Sequence, residues 1–235
     1  MASGARRTVA VLIPTRNEAA RLPRLLASLA AQTEQAEQVI VADASSADGT
    51  AALAAATGAV VLTGMLPGRG QQLAAACRAA SASILVFAHA DMVFPAAGLA
   101  ALRTAYRRHS SLIGGCFGHR FAERSVALRA VAWGDRLRAH RLGRSYGDQA
   151  QFCRAAWLAD GGGFPQQGLM EDIELARRLR ASGQTKYLDL PVEVSGRALL
   201  ARGVGRTLLR NWRLRRAYSR GADPDALRAI YYGCP

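Results

Sequence analysis

Between residues 8 and 91 the chain repeats one pattern: a short, continuous apolar run, a polar break, then an alanine- or leucine-rich stretch. The runs are Val9–Ile13, Val39–Ala42, Ala59–Leu62 and Ile84–Ala88. Runs of four or five apolar residues without polar alternation read as strands buried on both faces. The stretches from Ala19 to Ala31, near Ala51–Ala56 and up to about Ala80 read as helices. Strands alternating with helices make βαβ units, which predict an α/β fold with a mostly parallel central sheet flanked by helices.

The second half is less regular. Gly114–Phe121 reads as a further strand, Ser125–His140 as a basic helix and Gly161–Pro165 as a loop. A helix follows from about Met170 to Ala181, then two short strands at Thr185–Leu188 and Val192–Ser195. At 235 residues, the chain divides into a domain over 1–196 and a basic helical extension over 197–235 packed on it. Val204, Leu208 and Trp212, four residues apart in that extension, predict a face docked on the core.

Charge narrows the partners. The formal net charge is +14, and Lys186 is the single lysine, so the excess is arginine. Nine arginines against two aspartates lie between 197 and 228. Arginine's planar fork suits phosphate and carboxylate, although biased composition produces the same excess. The basic segments are read as lacking interleaved exposed aromatics, so a nucleic-acid partner is not expected. Four scattered cysteines form no Cys-x-x-Cys pair, and no run approaches the ~20 apolar residues that span a bilayer. A cytoplasmic enzyme is expected, with contact to the inner face of the membrane left open. The oligomeric state is not readable.

Ligands of open parallel sheets bind beyond the carboxyl ends of the strands. Glu18, Asp43 and Asp91 follow three such ends, and Glu171-Asp172 opens a late helix. One site drawing on all of them would be acidic within a basic protein, which suits a metal holding a diphosphate. Each feature has a plainer reading. Asp48-Gly49 is a common turn, and Asp48 suits a helix cap. Asp43 suits a structural role, Glu171-Asp172 offsets a helix dipole, and His89 fits a satisfied core position. Gly68-Arg69-Gly70 fits an ordinary turn. Cys116-x-x-His119 looks like half a zinc site, with no second half along the chain.

The order of the motifs adds a further argument. Ile13-Pro14-Thr15-Arg16-Asn17-Glu18, Val41-Ala42-Asp43 through Thr50, Gly68-Arg69-Gly70-Gln71-Gln72, His89-Ala90-Asp91 and Met170-Glu171-Asp172 through Arg178 follow one another at the spacing of the family 2 glycosyltransferases. The resemblance covers about residues 8 to 195 and implies a GT-A fold. Gly147-Asp148-Gln149 and Arg210-Asn211-Trp212 make the chain most similar to a small soluble branch associated with arsenosugar biosynthesis.

The resemblance implies residue roles. Pro14, Thr15 and Glu18 would line a nucleoside pocket, Asp43 would accept from base or ribose, and Arg69 and Ala90 would adjoin the nucleotide. Asp91 would bind Mg²⁺ or Mn²⁺. Asp172 would be the general base, with Glu171 beside it and Asp148 and Gln149 on the acceptor side. The donor would be a UDP- or GDP-linked sugar and the acceptor a small-molecule hydroxyl, with inversion. Alternatives are a polyprenyl-phosphate or other lipid acceptor at the membrane surface, and a non-catalytic nucleotide-binding protein. The chain departs from the family in two places: His89 stands where an aspartate is usual, and Ala44 follows Asp43 where an acidic residue or glycine is usual.

Overall fold

The computed structural model describes residues 7–233. Strand β1 (Val9–Thr15) leads into α1 (Leu22–Ala30), β2 (Gln38–Asp43), α2 (Thr50–Ala56), β3 (Val60–Leu62), α3 (Arg69–Ala79) and β4 (Ile84–Phe87). Then come α4 (Gly98–Arg108), β5 (Gly114–Phe121), α5 (Val126–Leu142), a 3₁₀ turn (Gly147–Gln149), β6 (Gln151–Arg154) and α6 (Ala155–Asp160). The chain continues through α7 (Glu171–Ser182), β7 (Thr185–Val194), α8 (Arg197–Arg202), α9 (Val204–Ser219) and α10 (Pro224–Tyr232).

The strands form one sheet in the order β3-β2-β1-β4-β6-β5-β7. β1, β2, β3 and β4 are parallel, β6 runs antiparallel to both its neighbours, and β7 is parallel to β5. The expected α/β sheet is present. Its early strands are continuous apolar runs because both faces are covered. Val9, Val11 and Ile13 pack with Leu22, Leu25 and Leu29 of α1 and with Leu99, Leu102 and Tyr106 of α4. Ala10 and Leu12 face the other way, toward Leu73 of α3, Leu158 of α6 and Leu175 and Leu179 of α7. Period-two alternation splits one strand between two cores, and each fully buried leucine adds about 1.5–3 kcal/mol.

Three expectations change. The two short strands near 185–195 are one strand, β7, whose register against β5 jumps between Phe117↔Leu188 and Gly118↔Pro191. That irregularity accommodates a proline, which has no ladder hydrogen bond to give. Helix α4 and strand β6 were not anticipated. The extension does dock, but not through Val204, Leu208 and Trp212: Leu208 and Trp212 are exposed. The docked face carries Thr207, Leu214 and Tyr218, and Leu214 and Leu227 of α10 close a small core over Met170.

β1 sits where the chain, after building β2 and β3 on one side, crosses to β4 on the other. That reversal opens a crevice at the carboxyl ends. Among the described residues, four non-glycine residues hold positive φ: Asn17, Ser45, Ala150 and Met170. Each lies in a segment bordering the crevice. Such backbone costs of order 1–3 kcal/mol and persists where surrounding contacts impose it.

Candidate active site

The ends of β1 and β2 are tied together. Thr15 Oγ1 donates to Asp43 Oδ1 (2.8 Å), and Ser46 donates to both Asp43 oxygens. Gln72 of α3 donates to the carbonyls of Thr15 and Ala42. Asp43 is therefore buried with its oxygens engaged, as in the plainer reading of that residue. Asp48 accepts from the amides of Ala19 and Thr50 and fastens the approach to α1 to the start of α2. Gly70 is required by close approach: a Cβ there would stand 2.6 Å from the Pro165 carbonyl.

Two cavities meet at this edge. The larger, of 660 Å³, is lined by Pro14, Thr15, Glu18, Gln72, Arg228 and Tyr232 among others. The smaller, of 240 Å³, is lined by His89, Tyr146, Asp148, Asp172, Asn211 and Tyr231 among others. Arg69, Leu169 and Glu171 line both. Arg69 Nε donates to Glu171 Oε1 at 2.8 Å, so an ion pair forms the partition. Burial works against the Arg69 charge, but Glu171 and Asp172 outweigh it and raise its pKa. Burial also raises Glu171, with Arg69 opposing.

Asp172, at the start of α7, is held by backbone. Its Oδ2 accepts from Gly147 N (2.7 Å) and its Oδ1 from Ile173 N (2.8 Å). Carboxylate oxygens accept more than one bond each, so capacity remains toward the cavity. His89 Nε2 lies 3.4 Å from Arg69 Nη2. Burial first, then Arg69, holds the imidazole well below its usual pKa, hence neutral. It faces the smaller cavity. Burial raises the Asp91 carboxyl, with Arg21 and Arg69 pulling it back. No side chain among the described residues hydrogen-bonds or ion-pairs with Asp91.

The structure thus gathers Pro14, Thr15, Glu18, Arg69 and Glu171 on the larger cavity, and Arg69, Asp148, Glu171 and Asp172 on the smaller one. Asp43, Ala90, Asp91 and Gln149 line neither cavity as it stands. Gln149 is buried, and its Oε1 accepts from Tyr146 N and Arg138 Nη2, bracing the turn. The sequence pointed to a basic tail closing over the site but named none of its individual contributors from α9 and α10. Asn211, Arg215, Asp225, Arg228, Tyr231 and Tyr232 all face these cavities, and Arg228 also donates to the Pro67 carbonyl. Tyr146 was missed too, stacked between Arg138 and Arg215 at 3.6 and 5.0 Å from its ring centre. The arginine density of the tail was the one available signal.

A mostly parallel sheet with a divided, carboxylate- and arginine-lined crevice at its switch point defines an α/β domain of the GT-A type. The chain belongs to glycosyl transferase family 2, whose family model matches residues 10–158. No curated protein matches it in sequence. Among solved structures it is similar to S. aureus TarS (18% identity, TM-score 0.67, covering 80% of this chain and 36% of that one). It is also similar to the mannosyltransferase PcManGT from Pyrobaculum calidifontis in complex with GDP-Man and Mn²⁺ (22%, 0.63, 89% and 60%). A third is glucosyl-3-phosphoglycerate synthase from Mycobacterium tuberculosis with Mn²⁺, UDP and glucosyl-3-phosphoglycerate (22%, 0.55, 81% and 71%). The chain spans 36% of that TarS structure and 60% of the TarS 1–349 structure.

Proposed function

We propose that the protein transfers a sugar, with inversion, from a UDP- or GDP-linked donor to the hydroxyl of a small acceptor. The observation that carries this is the pair of adjoining cavities divided by Arg69–Glu171, with Asp172 on the smaller side only. The larger cavity is the donor's and the smaller the acceptor's. The 197–235 extension then completes both cavities around the 1–196 domain through its helices α9 and α10. His89-Ala90-Asp91, Gly147-Asp148-Gln149, Met170-Glu171-Asp172 and Arg210-Asn211-Trp212 support a likeness to the branch associated with arsenosugar biosynthesis.

Asp91 fits a divalent cation. It is a half-buried carboxylate with no side-chain partner, among the Arg21 and Arg69 charges. Mg²⁺ and Mn²⁺ characteristically take one or two protein carboxylates and complete their shell with phosphate oxygens and water. Such a cation, when bound, neutralises charge growing on the departing diphosphate. Asp172 takes the acceptor proton as the new carbon–oxygen bond forms and the bond from sugar to diphosphate breaks. Gly147 N–H orients that carboxylate, and neutral His89 adds no positive charge beside Arg69. Base and leaving group on opposite sides of the partition suit attack from the face opposite the nucleotide, hence inversion.

A second reading keeps the chemistry and makes the acceptor a polyprenyl phosphate or other lipid. Val126 and Trp133 of α5 and Leu209 and Trp212 of α9 are exposed on arginine-rich helices, a pattern suited to an anionic membrane surface. No helix among the described residues is long and apolar enough to cross a membrane.

Thermal shift with UDP- and GDP-sugars, with and without Mn²⁺, tests the main reading. A donor at a hundred times its Kd stabilises by about 2.7 kcal/mol, roughly 5–10 °C for a chain of this size. The shift is expected to need Mn²⁺ and to disappear in Asp91→Asn. An Asp91→Asn variant that keeps a full, Mn²⁺-dependent shift removes Asp91 from the site.

A further inference from the structure

Half of the motif Cys116-x-x-His119 finds partners in space. His119 lies near the end of β5, and its side chain is 1% exposed. Neither ring nitrogen has a hydrogen-bond partner among the described residues. Buried polar atoms are almost always bonded, so an orphaned interior imidazole needs an explanation. Its Nε2 stands 3.6 Å from Asp135 Oδ2 of α5 and 4.0 Å from Asp148 Oδ2 of the 3₁₀ turn. These separations are too long for hydrogen bonds. They are what a shared small cation leaves, since bonds of about 2.0–2.2 Å set neighbouring ligand atoms roughly 3–4 Å apart. One atom from each of the three side chains fits within a span of 4.8 Å.

The surroundings agree. Arg138 binds the other Asp135 oxygen, Oδ1, and so orients that carboxylate while leaving Oδ2 toward His119. A ligand held by an outer partner is the usual build of a metal site. Asp148 Oδ1 is also buried without a partner. Cys116 is not among the residues whose ligand atoms converge.

We infer that His119, Asp135 and Asp148 form a second divalent-cation site, distinct from Asp91, for an ion such as Zn²⁺ or Mn²⁺. One imidazole with two carboxylates suits those ions. The site adjoins the smaller cavity, because Asp148 lines its wall. Asp148 directly follows Gly147, whose amide holds Asp172, and the turn ends at Ala150 with φ of 38°. A cation here clamps this strained turn to β5 and α5 and fixes the group that positions Asp172.

The test is metal binding with nucleotide absent, so it does not depend on the transferase reading. Chelator-stripped protein is titrated with Mn²⁺, followed by electron paramagnetic resonance, and with Zn²⁺, followed by calorimetry and melting temperature. Wild type and Asp91→Asn are expected to bind one ion alike, with a rise in Tm. His119→Gln and Asp135→Asn are each expected to weaken binding by at least about tenfold. If His119→Gln fails to fold, Asp135→Asn, which keeps its shape and an acceptor for Arg138, decides. The inference is overturned if the wild type binds no ion, or if His119→Gln or Asp135→Asn binds as the wild type does. Binding lost in Asp91→Asn alone also overturns it.

Discussion

At the scale of single residues, Asp172 separates chemistry from architecture. It stands in the first turn of α7, where carboxylates stabilise any helix, and it also faces a cavity while Gly147 holds one of its oxygens. Asp172→Asn is nearly isosteric. If the carboxylate is the base, turnover drops by about 10²–10⁴ while donor affinity and folding persist. If it only caps the helix, Tm drops and turnover per folded molecule changes less than about tenfold. Measuring melting, donor affinity and turnover on that variant decides between them. Glu174, two residues further on, is a different kind of carboxylate. Hydrogen bonds from Arg177, then Arg178, overcome partial burial and hold it down to about 2. A depressed carboxyl stabilises the fold fully above its unfolded value near 4.5 and loses that contribution as pH falls through 2. Glu174→Gln is therefore expected to flatten the decline of stability between about pH 4.5 and 2, read from urea midpoints across that range. An unchanged decline would show that the pair contributes nothing.

At the scale of elements, the weakest join is the one that matters to the site. Helices α9 and α10 rest on a core whose buried members are Met170, Leu214 and Leu227. Truncating a buried leucine costs about 2–5 kcal/mol in a large core, and less where neighbours can collapse. Leu227→Ala is expected to release α10 locally, speeding its hydrogen exchange and weakening donor binding, while exchange in β1 and β4 stays slow. Equal loss of protection in β1 would mean that tail and sheet unfold together. The contrast also explains what the sequence made legible. Val9–Ile13 and Ile84–Ala88 announce themselves because strands buried on both faces need every position apolar. Carboxylates beyond such strands could then be picked out as candidates from the topology. β6 stayed hidden because Gln151-Phe152-Cys153-Arg154 has polar ends and only four residues. On α9 the four-residue spacing of Val204, Leu208 and Trp212 was real, but periodicity identifies a stripe and not which side of it meets the protein. The docked stripe mixes Thr207 and Asn211 with Leu214, since it must also wall a polar cavity.

At the scale of the whole molecule, a net charge of +14 invites a polyanion, but some of the arginine works inside. Arg103 is buried, bonded to the carbonyls of Arg7, Glu34 and Gln35 and to Glu37. Arg154 donates to the carbonyls of Ser110 and Leu112. Duplex DNA is therefore expected to bind only weakly, with Kd no tighter than about 10⁻⁶ M at physiological salt. Tight binding in fluorescence anisotropy under those conditions would make the basic surface a nucleic-acid site. The wall of the larger cavity has a consequence in time as well as in space. Pro14 stands at one side of it and Tyr232 at the other, so it draws on nearly the first and nearly the last of the described residues. A ribosome delivers the N-terminal part first, and folding follows emergence. The sheet can assemble while the tail is still being translated, but the pocket cannot. Products of interrupted translation would carry a sound core and an open crevice, unable to retain a donor. The larger cavity is complete only once α10 has followed the sheet out of the ribosome.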